Sequence, residues 1–488
     1  MKSTTKPLTV LHRIPTEPET LADDREVAPT LPWLRVMGRA LVHRNFRLFF
    51  FGQGVSVVGT WMQQVAVIWL VYRLSGSPFL LGMAVFASQI PAALAAPVAG
   101  VLTDRWNRHH TVFATQTLAM LQSFAMLILT ASGWINVWLV ISLSVMLGLI
   151  NAFDMPARQS FVIEMVECPC DLANAIALNS SMFNAARLVG PAIAGCVIGW
   201  FGEWPCFLLN GLSYLAVIAS LLAMRVKPVE RPAVHVGIVE GLRNGLEYIS
   251  GSLPIRSILL LLGLVSMMSM PLTVLMPVIA TDVLHGGPRM LGMLTASLGI
   301  GALVASLALA ARKSVVGLGS LIALATALFG FGMIALSFSH VGWLSMILLL
   351  VIGFAMVVQM AASNTILQTV VDDDKRGRVM SFYAMAFVGM APLGSLLSGC
   401  LASRLGTLPT MMLCGSVCLA GAAVFSVLLP GIRQAVKPIY IRAGLLPNTG
   451  LLSSDEEDAE SDSLLDTPEI IPITPAAMAS PILERSAA

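Results

Sequence analysis

Charge is what this sequence has least of. Only 11% of its 488 residues are Asp, Glu, Lys or Arg, against about 25% in an ordinary soluble domain, while 56% are hydrophobic and the mean hydropathy is +0.82. A surface suited to water or to nucleic acid is therefore excluded, and an integral membrane protein is indicated. Enzyme signatures are missing as well: there is no His-Glu-x-x-His, no Gly-x-x-x-x-Gly-Lys-[Ser/Thr] and no Gly-x-Ser-x-Gly, so no catalytic residue, cofactor or metal is expected. The seven cysteines fall mostly in apolar stretches or in one loop, and no disulfide is expected. Cys168-Pro-Cys170 lacks a second ligand pair at zinc spacing. Residues 1–32 contain no apolar core of a signal peptide, which makes the first membrane span the expected targeting signal.

What is present is a series of apolar stretches long enough to cross a bilayer, at 47–72, 79–102, 111–132, 136–156, 173–200, 206–224, 255–282, 289–311, 317–338, 342–368, 378–402 and 408–430. An all-α protein with twelve membrane spans is expected. With both termini inside, nineteen Lys and Arg flank the spans on the inner side, but only Arg73, Arg289 and Arg404 on the outer side. The positive-inside rule then places both termini in the cytoplasm. The expected organisation is a polar tail at 1–44, six spans at 45–224, a linker at 225–254, six more spans at 255–430 and an acidic, disordered tail at 431–488. Within the linker, Val236, Val239, Leu242, Leu246 and Ile249 recur at three and four residues, the spacing of an amphipathic helix lying on the inner surface.

The two sets of six spans are related. A shift of 204 residues lays Gly190 on Gly394, Gly195 on Gly399, Cys196 on Cys400 and Gly202 on Gly406 without a gap, and a shift of 210 lays Leu81-Gly82-Met83 on Leu291-Gly292-Met293. Parallel repeats of this kind hold a substrate site between them at mid-membrane.

One basic side chain falls deep inside a span. The apolar stretch from Ala175 to Trp200 is roughly 39 Å long as a helix, and Arg187 lies near its middle, where a charge costs about 2.5–3.5 kcal/mol. Ser180, Asn184, Arg187 and Pro191 share one helix face. No Asp or Glu lies at mid-depth in any span. Arg187 therefore either bonds to carbonyls and to side chains such as Asn184 and Asn179, or receives an anion. Further polar stripes are Gln53, Ser56, Thr60 and Gln63 in span one, Ser266, Ser269 and Thr273 in span seven, and Gln359 and Ser363 with Asn364 and Gln368 nearby in span ten. Each such residue serves equally well as a bond between helices.

Between spans two and three, Gly100-Val-Leu-Thr-Asp104-Arg105-Trp-Asn-Arg108-His109-His110 resembles the inner-loop motif of the major facilitator superfamily, Gly-x-x-x-Asp-Arg-x-Gly-Arg-Lys, with Asn107 and His109 as departures. The stretches RNFRLFFFGQ, GTWMQQVAVIWLVYRLSGSP, AFDMPARQSFV, NAIALNSSMFNAARLVGPAIAG and CFLLNGLSYLAV resemble its branch of transmembrane secretion effectors, which contains an enterobactin exporter and macrolide efflux proteins and is also described as the drug:proton antiporter-3 branch. The resemblance implies two pseudo-symmetric six-helix bundles and a cavity lined by spans one, seven and ten. Arg187, Asn184, Ser180, Gln53, Thr60, Gln63, Gln359 and Ser363 are the expected substrate contacts. It also implies a latch, in which Asp104 meets span eleven and Arg108 pairs with an acid in span four, best filled by Asp154; Gly100, Arg105, Gly190 and Pro191 belong to the same gating set.

The expected activity is export of an amphipathic siderophore or drug by proton antiport, with Asp154, Asp104 and Asp282 as proton-site candidates. Lipid translocation by the same fold, for example of lysophospholipids, and a sensor or scaffold acting through the acidic tail remain alternatives. The expected partners are a small molecule, acidic in the Arg187 reading, the bilayer and an outer-membrane efflux component, but no nucleic acid, and the chain is expected to be a monomer.

Overall fold

A computed structural model describes residues 38–166, 168–224, 238–312 and 314–442. Among the described residues are twelve helices long and apolar enough to cross a bilayer, and no strand. Residues up to Leu429 form one compact unit, whose boundary falls within the last helix. The expected acidic tail beyond Arg442, the linker at 225–237 and the tail before Gly38 lie outside the described residues.

Spans one to six are Arg44–Ser75, Pro78–Arg105, Arg108–Ala131, Val137–Met165, Leu172–Phe201 and Trp204–Ala223. The turns between them are short because the sequence supplies their stops and starts. Span one ends on Gly76 at φ 58°, a left-handed cap that glycine adopts without strain. Span two starts with Pro78 behind Ser77, whose hydroxyl accepts from the Leu80 amide, and Asn107 and Asn136 cap spans three and four through their side chains. Spans eight to ten are Gly287–Ala310, Leu318–Ser337 and Gly342–Val370.

Three elements depart from the expected segments. Span seven is broken into Leu253–Met268, Pro271–Val274 and Met276–Val278, followed by a π-turn at Ile279–Val283. Pro271 and Pro277 lack the amide hydrogens that would continue the ladder. Span eleven begins at Asp373 and carries a π-turn at Met385–Gly389 before Met390–Leu405. The last helix runs from Thr407 to Arg442 through Pro430 and Pro438, so residues 431–442 are helical rather than part of a disordered tail. The linker helix, Ile238–Gly251, packs on the start of span eleven, with Gly245 against Phe382 and Arg378 and the Tyr248 hydroxyl bonded to Asp372. Cys168 and Cys170 are joined in a disulfide, contrary to the expectation of none; one intervening residue leaves their Cα atoms 5.2 Å apart, within bonding reach.

In the first six spans, one packs on five and six, and four packs on two and three; in the last six, ten packs on eight and nine, and seven packs on eleven. The two sets meet where span five crosses eight and span two crosses eleven. At each crossing two glycines face one another. A Cβ on Gly195 would lie 2.7 Å from the Gly292 Cα and 3.0 Å from the Pro288 carbonyl oxygen, and one on Gly399 would lie 3.0 Å from the Gly82 Cα and 2.9 Å from the Pro78 oxygen. These are the residues that the repeat shifts relate, Gly195 to Gly399 and Gly82 to Gly292. The duplication has placed the same backbone contact on both sides of the molecule.

Candidate functional site

The turn between spans two and three, flanked by Arg105 and Arg108, marks a basic end of the bundle, and the glycine crossings lie toward the opposite, far end. Two further contacts join the halves there. The Tyr72 hydroxyl at the end of span one donates to Asp282 in the π-turn of span seven, and the Arg289 guanidinium of span eight lies 5.3 Å from the Trp200 ring centroid of span five. The glycine crossings, the Tyr72–Asp282 hydrogen bond and the Arg289–Trp200 contact thus hold the halves together toward the far end.

Span five supplies the central feature. It meets span one at Gly190, where a Cβ would lie 2.5 Å from that of Trp61, and span eight at Gly195, and Leu188 backs onto Gly299. Two arcs of the helix remain free. One carries Ala185, Val189, Ile193 and Cys196, all exposed and all suited to lipid. The other carries Ser180, Asn184 and Arg187, which are exposed or half-buried, between spans one and eight. Arg187 thus points away from the apolar arc and into the space between the halves. Its guanidinium lies 5.7 Å from the Trp61 ring centroid, and among the described residues it has no hydrogen-bond or ion-pair partner. Among the described residues neither Ser180 nor Asn184 has a side-chain hydrogen bond. The bonding of Arg187 to Asn184 and Asn179 left open by the sequence is therefore absent. Cation–π attraction offers about 2 kcal/mol or more to a desolvated guanidinium, a large part of the roughly 2.5–3.5 kcal/mol that an arginine at the centre of a membrane helix costs.

Span one contributes unevenly. Thr60 is exposed toward this space, as is Gln64, which the sequence stripes missed. Gln63 is buried in the first half, donating to Gln122 and accepting from Ser123 and Asn210 at 2.7–2.8 Å. Gln53 is also buried, with its side-chain oxygen unpaired. In span ten, Gln359 and Ser363 are buried at 1% and 0% exposure. These four expected contacts are withdrawn from the open space. The open flank of span ten instead carries Ala361, Asn364, Thr365, Gln368 and Thr369, which with Arg376 line a pocket of about 440 Å³.

The expected latch also rearranges. Arg108 pairs with Glu164 at 3.0 Å and donates to the Ser160 carbonyl, not to Asp154. Glu164 lies ten residues further along span four, nearer the basic end and level with the start of span three. Asp154 sits deeper, bonded to Thr115 and Gln116 and 3.4 Å from Arg158, whose guanidinium lies 5.0 Å from the Phe183 ring centroid. Arg158, expected as a loop cation, is mostly buried inside span four. The side chains of Asp104 and Arg105, and Gly100 as a packing position, lie outside the described residues. Gly190 allows the approach to Trp61, and the Pro191 carbonyl touches Gly292.

Comparison with known proteins agrees with this architecture. The chain is 24% identical over 370 residues to the staphyloferrin A transporter of Staphylococcus aureus, covering 76% of this chain and 92% of that one. It is 26% identical over 400 residues to the multidrug efflux pump Tap of Mycolicibacterium fortuitum, covering 79% and 96%. A bacterial homologue of the human lysosomal transporter Spinster, solved inward-facing and unoccupied, superposes with a TM-score of 0.59 at 12% identity, over 82% of this chain and 98% of that one, a likeness of fold. The profile of the transmembrane secretion effectors matches residues 39–438, and the chain therefore belongs to that family of membrane transporters, built on the major facilitator fold.

Proposed function

We propose that this protein exports an amphipathic small molecule, a siderophore or a drug, across a bacterial inner membrane in exchange for protons. The basic end is cytoplasmic by the positive-inside rule, so a bundle held together toward its far end is poised to load from the cytoplasm. The halves then rock about the cavity, opening the far end while the basic end closes. The observation that carries this reading is Arg187, an unpaired cation on a polar arc between the halves. It receives an acidic group of the cargo, while Trp61, Thr60 and Gln64 line the same space. The relatives support this reading, one being named a staphyloferrin A transporter and another a multidrug efflux pump.

The test uses vesicles with an imposed pH gradient and two probes, a fluorescent aryl carboxylate and its methyl ester. Arg187→Gln is expected to lower transport of the acid about tenfold or more, the loss of one charge-assisted contact, and to spare the ester. Equal loss of both probes would remove the charge role, and absence of transport of either by the unaltered protein would remove this cargo class.

A further inference from the structure

The disulfide between Cys168 and Cys170 lies in the turn from span four to span five, two spans on from the turn that marks the basic end and therefore at that same end. By the positive-inside rule this end faces the cytoplasm. Thiol buffers there keep ordinary cysteines reduced, and a disulfide in that compartment is characteristically a bond that exchanges rather than a permanent staple. Cys168 is half-buried and Cys170 exposed. The free cysteines lie within membrane-crossing helices, with Cys206, Cys414 and Cys418 buried there, whereas this pair stands in a turn at the water.

The turn is also the seat of the segment that opens span one. Asp171, next to Cys170, is the residue on which span five starts, yet its side chain does not cap that helix. It reaches back instead: Oδ2 lies 3.1 Å from the His43 Nε2, and Oδ1 lies 3.2 Å from an Arg39 nitrogen. One turn further along, the Asn174 side-chain oxygen accepts from the Ala40 amide at 3.0 Å, and Ala40, with no exposure, packs into the apolar cluster of Met165, Val166 and Ala175. The Asp171 amide donates to the Cys168 carbonyl at 3.0 Å. The disulfide and this hydrogen bond together fix the direction in which Asp171 points. Position favours exchange as well, because the pair stands just ahead of a 30-residue helix, whose positive N-terminal end stabilises a thiolate, and a stabilised thiolate is the better leaving group.

We propose that Cys168 and Cys170 form a reversible redox-modification site for a cytoplasmic dithiol, the disulfide fastening residues 39–43 to the head of span five and the reduced pair releasing them. A thiolate of the reductant attacks the sulfur of exposed Cys170; the S–S bond breaks, and Cys168 leaves as a thiolate that takes up a proton. The second thiolate of the reductant then displaces Cys170 from the mixed disulfide. Two electrons and two protons have passed to the protein, and the reductant ends as a disulfide. With the ring open, Asp171 is no longer aimed at Arg39 and His43, and the start of span one moves independently of span five, the helix that carries Arg187.

Purified protein in graded mixtures of dithiothreitol and its oxidised form tests this without any cargo, so the outcome stands apart from the export reading. Alkylation followed by mass spectrometry is expected to show Cys168 and Cys170 passing together from disulfide to dithiol and back, while circular dichroism shows the helices unchanged. Amide hydrogen exchange over residues 39–43 is expected to rise about tenfold on reduction, and Cys170→Ser is expected to show the raised rate in either buffer. In acid-quenched cells the pair is expected as the dithiol, turning to the disulfide under diamide. A bond that never forms under oxidant, one that resists reduction until the protein unfolds, or exchange that is equal in the two states overturns the proposal. If Cys170→Ser does not insert, the two redox states of the unaltered protein decide.

Discussion

A polar side chain within a membrane helix can tie its own bundle together or face the space between bundles, and Gln63 and Thr60 show how closely the two fates lie. Three residues at 100° each leave Gln63 about 60° around the helix from Thr60, far enough to turn it onto Gln122, Ser123 and Asn210. Gln64, about 40° from Thr60 in the other direction, is open instead. Spacing at three and four residues therefore revealed a polar side of span one but not where that side ended. The same limit applied to Arg108: an acid in span four was legible, whereas the choice of Glu164 over Asp154 depends on how far spans three and four overlap. Gln63→Leu leaves Asn210 and Ser123 facing a lost partner and is expected to lower stability by about 1–3 kcal/mol. Thermal unfolding in detergent measures that loss, and the KM for cargo should stay unchanged. Thr60→Val should do the opposite, altering KM with little change in melting temperature.

At the scale of elements, helices were easily recognised because a bilayer leaves the backbone few other ways to satisfy its hydrogen bonds. Breaks within them were harder. Pro271 and Pro277 stood in plain view in span seven, yet membrane helices often tolerate proline, and only packing shows that here the ladder parts and ends in a π-turn. The repeat fared differently, since the shifts of 204 and 210 residues singled out the very glycines that meet at the crossings. Their equivalence makes a prediction. Gly195→Val and Gly399→Val each drive a side chain into facing backbone and are expected to favour the far-end-open state to a similar degree. Labelling of Thr60→Cys by a membrane-impermeant maleimide from the far side should rise several-fold in both; a rise in only one would break the equivalence.

For the whole molecule, twelve spans in two groups of six were readable from hydropathy and the basic loops. The conformation was not, because composition is blind to which end of a bundle is shut. Two outcomes follow from the orientation and extent of the chain. Ser132→Cys, in the far-end turn after span three, is expected to react with an impermeant thiol reagent in intact cells, whereas Ser314→Cys, at the basic end, reacts only after permeabilisation. Removal of residues 443–488, which keeps the last helix to Arg442, is expected to leave transport rates within about twofold in the vesicle assay, a change of under about 0.5 kcal/mol in the barrier. Loss of transport on that truncation would favour a protein that works through its tail.

The paired glycines at the crossings have one more consequence. A contact where main chain rests on main chain presents no ionisable group of its own, so acidity can act on the far end only through Asp282 with its Tyr72 partner and through Arg289. Its tightness should respond to the medium that presses the helices together, and leakage should vary with the thickness and lateral pressure of the surrounding lipid.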